Sequence, residues 1–324
     1  MKLRTLGRTG LEVSEIGYGA WGISGKQWIG ATDRNSLAAL HTAIERGVNF
    51  IDTALAYGDG KSEQLVGQAV RDAAGVRIHI ATKVPPKNRL WPARPGIAID
   101  DVFPYDYIVR CTEESLRNLG ADTIDLQQLH VWNPDWLGRD EWRRAFEDLK
   151  QSGKVRFFGV SINDHQPDTG IGIIETALID TVQVIYNIFD QTPERELFSA
   201  CLKHNIGVLA RVPFDEGSLT GRIDERTEFP AGDFRAHYFR GDRKKQVRER
   251  IAAIVRDLEL PDPGYVAEVA IRFCLTHPAV STVIPGMRSI SSVEGNVTAA
   301  GQGPLPPNAL NVLRAHAWDR NFYS

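Results

Sequence analysis

The feature that most restricts the fold of this chain is an alternation. Eight short apolar runs each give way to a helical stretch before the next run begins. The runs lie at residues 16–19, 49–52, 78–83, 124–130, 155–161, 182–186, 206–211 and 281–284. Helices are predicted after them: from a cap at Thr32 or Asp33 to Gly47, then over about 62–73, 106–119, 140–151, up to 178, and 193–204. Two more follow the seventh run, at about 243–258 and 265–276, and one follows the eighth, at about 291–300. Strands that alternate with helices pair in parallel. Eight such units in 324 residues fit an α/β fold of the closed (β/α)8 TIM-barrel type, as one domain over residues 1–324. A hairpin within residues 1–15, turning at Gly7-Arg8-Thr9-Gly10, precedes the first strand and is placed to plug the N-terminal mouth. A loop at 212–242 is long enough to be a lid. The tail, 301–324, adds an extra C-terminal helix near 307–320.

Placing the ionisable residues on this map gives the functional signal. Asp52 ends the second strand, Lys83 the third and His130 the fourth, and Tyr57 follows in the loop past the second. Neighbouring strands run about 4.8 Å apart, so these groups can converge at one mouth of a barrel. That mouth is where such barrels do their chemistry. Singly, each residue has a packing explanation: an Asx-turn for Asp52, a rim contact for Tyr57, a solvated strand end for Lys83, a satisfied core imidazole for His130. Packing does not account for their joint placement. A phenol is a poor acid at neutral pH, and a nearby ammonium is expected to lower its pKa. Asp52 would hold Lys83, and His130 would orient a substrate oxygen. Such a set can protonate an oxygen that becomes an alkoxide, as in carbonyl reduction. No residue supplies hydride, so a nicotinamide is implied.

With these residues in place, the chain resembles the aldo-keto reductase family, in its bacterial branch. The resemblance runs from about residue 3 to 297 and rests on several stretches. These are Gly17-Tyr18-Gly19-Ala20-Trp21-Gly22, Asp52 to Tyr57-Gly58 with Ser62-Glu63, Thr82-Lys83, Leu129-His130 and Gly159-Val160-Ser161. They continue with Gln183 before Tyr186-Asn187, Gly217-Ser218-Leu219-Thr220-Gly221, and Ile284-Pro285-Gly286 with Asn296. The resemblance implies a catalytic tetrad of Asp52, Tyr57, Lys83 and His130, with Tyr57 as acid–base residue. It implies cofactor contacts at Gly19, Ala20, Trp21, Asp52, Ser161, Asn163, Gln183, Arg211, Pro213, Leu219, Gly221, Gly286, Arg288 and Asn296. Two positions depart from the family pattern. Ile162 separates Ser161 from Asn163, which are usually adjacent in the family. Arg211 stands where an aromatic usually stacks on the nicotinamide, and its charge is expected to favour the reduced ring. Arg288 is the obvious cation for a 2′-phosphate, which favours NADPH while leaving NADH possible.

The segment 17–22 also matches G-x-G-x-x-G, but that fingerprint needs a helix opening at its last glycine. A loop follows here, so a Rossmann reading is rejected and Trp21 is expected to wall the substrate site. Trp91, Trp132 and Trp136 either line the pocket or pack its rim. Other classes are a redox-sensing barrel that binds nicotinamide with little turnover, and a hydrolase with paired carboxylates. The strand ends offer one clear acid, which speaks against the hydrolase. A net charge of −3 gives no basic field for nucleic acid or membrane. Three scattered cysteines, no metal-ligand spacing and no apolar run of spanning length complete the expectation. That expectation is a cytoplasmic protein that binds no metal, acts on a small carbonyl compound and has an unassigned oligomeric state.

Overall fold

The computed structural model describes residues 1–323. The hairpin strands are β1 (Leu3–Thr5) and β2 (Glu12–Ser14), paired antiparallel around a 3-10 turn at Gly7–Thr9. Then come β3 (Tyr18–Gly19) and helix α1 (Asp33–Glu45), capped by the Thr32 side chain, which accepts from Asn35 N. Next are β4 (Phe50–Asp52), α2 (Lys61–Asp72), β5 (His79–Val84), a single turn α3 (Ile99–Val102) and α4 (Tyr105–Leu119). After these the chain runs β6 (Ile124–Leu129), α5 (Glu141–Gln151), β7 (Val155–Ser161), α6 (Ile171–Glu175), β8 (Thr181–Ile185) and α7 (Leu197–His204). It closes with β9 (Gly207–Arg211), α8 (Phe234–Tyr238), α9 (Arg243–Asp257), α10 (Val266–Thr276), β10 (Val280–Val283), α11 (Ile290–Gly301) and α12 (Pro307–Arg314).

Strands β3 to β10 form one parallel sheet in sequence order. The seam between first and last is closed by single parallel bridges, Ile16 with Val283 and Gly19 with Gly286. Gly17 N donates to Val283 O at 2.8 Å, and Gly19 N to Pro285 O at 3.0 Å. A Cβ on Gly19 would stand 2.6 Å from the Ile284 carbonyl oxygen. Glycine is therefore needed there for the backbones to meet. Gly17 and Gly19, the first two glycines that mimic a dinucleotide fingerprint, are seam residues, while the third, Gly22, lies in a 3-10 turn (Trp21–Ile23) and no helix opens before α1.

The period of two along each strand sets what fills the ring. Phe50, Ala81, Leu126, Leu209 and Ile284 point inward and pack on Leu6, Leu11 and Val13 of the hairpin, which plugs that end. Two residues further along the same inward faces come Asp52, Lys83, Gln128 and Arg211, and two beyond Gln128 comes His130. The apolar plug and the polar mouth are thus successive layers of one interior. The large apolar cluster lies outside, between strands and helices.

Three expectations need correction. The helix expected up to residue 178 is a 3-10 turn (Pro167–Gly170) and the short α6, as glycines at 170 and 172 weaken it. The segment 212–242 is not bare loop: it carries two tight turns within Asp215–Thr220, broken at Glu216 and Gly217, and α8. The last helix stops at Arg314, and the chain beyond it runs on to the cleft.

Gly67 lies inside α2, where propensity favours Ala by about 1 kcal/mol. Yet a Cβ there would sit 2.2 Å from Leu119 O at the end of α4. Gly67→Ala is expected to destabilise the fold by about 1–3 kcal/mol in urea denaturation, the opposite of the propensity sign.

Candidate active site

The inward layer brings four strand ends to one point. Lys83 Nζ lies 2.7 Å from Asp52 Oδ2, with side chains 1% and 4% exposed. Its remaining donors go to Thr53 O at 2.7 Å and to Tyr57 Oη at 3.4 Å. An ammonium has three donors, so Lys83 is saturated, and its longest bond is to the phenol. Asp52 Oδ1 accepts from Gln183 Nε2 at 2.8 Å. Asp52 is on the second barrel strand and Gln183 on the sixth, across the ring, so this bond runs through the barrel axis. It leaves Gln183 Oε1 without a partner among the described residues. The Tyr57 and His130 rings stand 5.6 Å apart, edge to face.

Electrostatics correct one expectation. Burial pushes the Tyr57 phenol above 10.0, and this outweighs the opposing pull of Lys83. The phenol is therefore held protonated at neutral pH. It accepts from Lys83, and among the described residues nothing accepts its proton, which stays free for a ligand. Burial, aided by the charges of Lys83 and Arg211, holds the His130 imidazole well below 6.5, so it is neutral. Its Nδ1 is buried without a partner among the described residues.

A cleft of about 1600 Å³ opens from this layer, larger than the ~300–1,000 Å³ of a typical small-ligand pocket. Asp52, Tyr57 and His130 line it, while Lys83 lies just beneath. Of the expected cofactor contacts, Gly19, Trp21, Ser161, Asn163, Gln183, Arg211, Pro213, Gly286, Arg288 and Asn296 line the cleft. Ala20, Leu219 and Gly221 do not. Ala20 is buried and bonds Asp52 O through its backbone N–H. Leu219 is buried, and Gly221 caps its turn at φ 70.

Three of the lining residues carry contacts of their own. The Asn163 amide makes bonds of 3.1 Å with both Ala93 N and Ala93 O, holding the proline-rich loop. Arg211 donates to Ile162 O at 2.9 Å and to Asp164 Oδ1 at 2.7 Å. Asp164 neutralises much of the charge on which the expected preference for a reduced ring rests. Arg288 lies over the Trp28 ring, 5.2 Å from its centre, and Arg235 over the same ring at 4.5 Å. Trp91 lines the cleft beside His130, whereas Trp132 and Trp136 are buried in an edge-to-face stack with Trp142.

The donor set fits a nicotinamide dinucleotide. Asn296 Nδ2 is buried, has no partner among the described residues and lies on the cleft wall. Nothing stands within 4 Å of where a Cβ on Gly286 would be, which leaves backbone accessible to a phosphate. Gln183 Oε1 and Ser161 offer polar atoms beside the tetrad. Sequence reasoning missed Trp28, Asp164, Glu216, Phe234, Arg235 and Tyr323, all of which line the cleft. Only the aromatic density of residues 318–323 signalled any of them.

Comparison with known proteins agrees with this geometry. A profile described as Aldo/keto reductase family matches residues 15–317. The chain belongs to that family, whose members are NAD(P)H-dependent oxidoreductases acting on carbonyl compounds. It is 30% identical to the uncharacterized oxidoreductase YqkF of Bacillus subtilis over 98% of this chain and 96% of that one. The holo form of aldo-keto reductase AKR11C1 from Bacillus halodurans superimposes with a TM-score of 0.75 at 31% identity, covering 98% of this chain and 96% of that one. The glycerol dehydrogenase AKR11B4 from Gluconobacter oxydans gives 0.78 at 28% identity, covering 99% and 97%. No helix among the described residues is long and apolar enough to cross a membrane, and no group of three or more His, Cys, Asp or Glu among them could hold a metal ion.

The depressed His130 pKa sets a direction. The folded protein resists protonating this ring, while the unfolded chain takes the proton near the usual 6.5. The His130 contribution is therefore favourable above that pH and is lost as pH falls below it. In an NMR titration the His130 ring signals should stay at neutral positions from pH 8 to pH ~6, while exposed histidines shift.

Proposed function

We propose that this protein reduces the carbonyl group of small aldehydes or ketones to an alcohol, with Tyr57 donating the proton and NADPH preferred over NADH. The observation that carries the reading is the bonding of Lys83. Its ammonium donates to Asp52 and to the Thr53 carbonyl at 2.7 Å each and reaches Tyr57 Oη as donor at 3.4 Å. Because Tyr57 accepts that bond, its own hydrogen can point at a substrate oxygen. As the proton leaves, the phenolate left behind faces an ammonium already in place, so little reorganisation is needed. Neutral His130 offers a ring N–H to the same oxygen and fixes its position.

A reduced nicotinamide, when bound in the cleft, supplies the hydride. Gln183 and Ser161 would meet its carboxamide, Asn163 assists if Ala93 yields its amide, and Asn296 would meet the adenine. Arg288, partly shielded and facing the cleft, would meet a 2′-phosphate, with Ser291 and Ser292 beside it. Gly19, Trp21, Arg211, Pro213 and Gly286 wall the dinucleotide. We place all of this on one barrel domain. Three free, buried cysteines suit a reducing compartment such as the cytoplasm.

The test pairs binding with turnover. Fluorescence titration should give a lower Kd for NADPH than for NADH. Tyr57→Phe should leave the NADPH Kd within about three-fold while lowering kcat/KM on small aldehydes by ~10²–10⁴. Unchanged turnover in Tyr57→Phe would refute the assignment of the proton donor.

A further inference from the structure

The proline-rich loop between β5 and α3 forms one wall of the cleft, and side chains from the loops after β6 and β7 hold its backbone. Asn133 Nδ2 donates to Arg94 O at 2.8 Å, Gly96 N donates to Asp135 Oδ2 at 3.0 Å, and Trp136 Nε1 donates to Ile97 O at 2.8 Å. Asn163 takes both backbone polar groups of one residue. Ala93 N donates to its Oδ1, and its Nδ2 donates to Ala93 O, each at 3.1 Å. The other Nδ2 hydrogen goes to Gln166 Oε1 at 3.2 Å. A side-chain amide has two donor hydrogens, so both are spent, and a single lone pair on Oδ1 is left over. The turn that presents this amide is itself braced. Arg211 Nη2 donates to Ile162 O at 2.9 Å and to Asp164 Oδ1 at 2.7 Å, so one guanidinium fixes the residues on either side of Asn163.

What the clamp holds borders the reaction. Trp91, two residues before Ala93, lines the cleft with 46% of its surface exposed. Its ring centre lies 5.8 Å from that of His130 at an interplanar angle of 85°, and the His130 ring stands 5.6 Å from that of Tyr57. A carbonyl oxygen held by Tyr57 and His130 therefore has the Trp91 ring beside the group that the carbonyl carries. Pro92 has no N–H to give, so Ala93 is the first residue after Trp91 that can donate a backbone bond. Two residues span at most ~7 Å, so fixing Ala93 confines Trp91 as well. Turning the Asn163 amide toward a nicotinamide carboxamide would break both bonds to Ala93. The bonds gained would return no more than the bonds lost, and Ala93 would be left with both polar groups unpaired.

We propose that Asn163 is a positioning residue for the substrate wall: its amide stays with Ala93 when the dinucleotide binds, and through Ala93 it keeps Trp91 against His130. This rests on the carbonyl-reducing reading above. The first test uses the unaltered protein. Amide hydrogen exchange at Ala93 should be slow in the free protein and no faster with saturating NADPH. Exchange that speeds up when NADPH binds would overturn the proposal, since it would mean that the amide leaves the loop for the cofactor. The second test uses Asn163→Leu, which keeps the bulk and removes the bonds. NADPH Kd should stay within about three-fold of the wild type, while KM for benzaldehyde, whose ring reaches the wall, should rise by ~10-fold, with a smaller change in kcat. KM for propanal, which is slimmer, should rise less. Trp91→Leu should raise the benzaldehyde KM too, and the double variant should be no worse than Trp91→Leu alone, because Asn163 acts through that ring. A rise in NADPH Kd beyond three-fold in Asn163→Leu, or losses that multiply in the double variant, would overturn the proposal. If Tyr57→Phe abolishes propanal reduction yet NADPH frees Ala93, this assignment alone fails. If neither aldehyde is reduced and neither dinucleotide binds, both readings fail.

Discussion

The site depends on a buried charge pair. Asp52 and Lys83 sit in the barrel interior with almost no exposed surface, and each would be strongly unfavourable there alone. What makes the pair tolerable is saturation. Lys83 spends its donors on Asp52, Thr53 O and Tyr57, and Asp52 takes a further bond from Gln183 across the ring. A pair so fully bonded has one low-energy arrangement, and Tyr57 is held at its edge by the longest bond of the set. The phenol is thus oriented by a charge that does not consume its proton.

The barrel makes this arrangement possible through strand periodicity. An inward residue on β4, β5 or β6 is followed two positions later by another, so the apolar plug at Phe50, Ala81 and Leu126 dictates that Asp52, Lys83 and Gln128 also face inward. The hairpin removes water from one end of the ring, and the loops shape the other. Loop 23–31 is tied to α8 through Phe234 N to Gln27 O and Ile29 N to Asp233 Oδ2. Two distant segments therefore close over the same cleft, and the C-terminal segment seals its far corner.

Most of this architecture was legible because periodicity is local. The strand spans at 155–161 and 206–211 differ from the observed ones by at most a residue, and Asp52, Lys83 and His130 stand out by occupying equivalent strand ends. Other features depend on contacts that sequence spacing does not encode. Tyr57 was expected to titrate low because Lys83 is near, yet desolvation dominates, and desolvation is a property of the packed loops. Arg211 was read as a free cation, but its partner Asp164 lies 47 residues away. Glu216 and Tyr323 are 107 residues apart and meet where the tail packs back on the barrel, through the Arg320–Asp215 ion pair, the Trp318 N to Phe189 O bond and ring contacts with Phe234 and Tyr238. The G-x-G-x-x-G pattern misleads for a physical reason: glycine serves close backbone approach at a barrel seam as well as it serves a phosphate loop.

The central claim is that Asp52 and Lys83 act on Tyr57 as one unit. A double-mutant cycle on kcat/KM tests it, using Asp52→Asn, Lys83→Met and the two together. Residues that act as a unit are strongly non-additive, so each single change should cost ~10²–10³ and the double change should cost no more than the worse single one. Losses that multiply would contradict the account, because they would mean that the carboxylate and the ammonium reach the reaction independently.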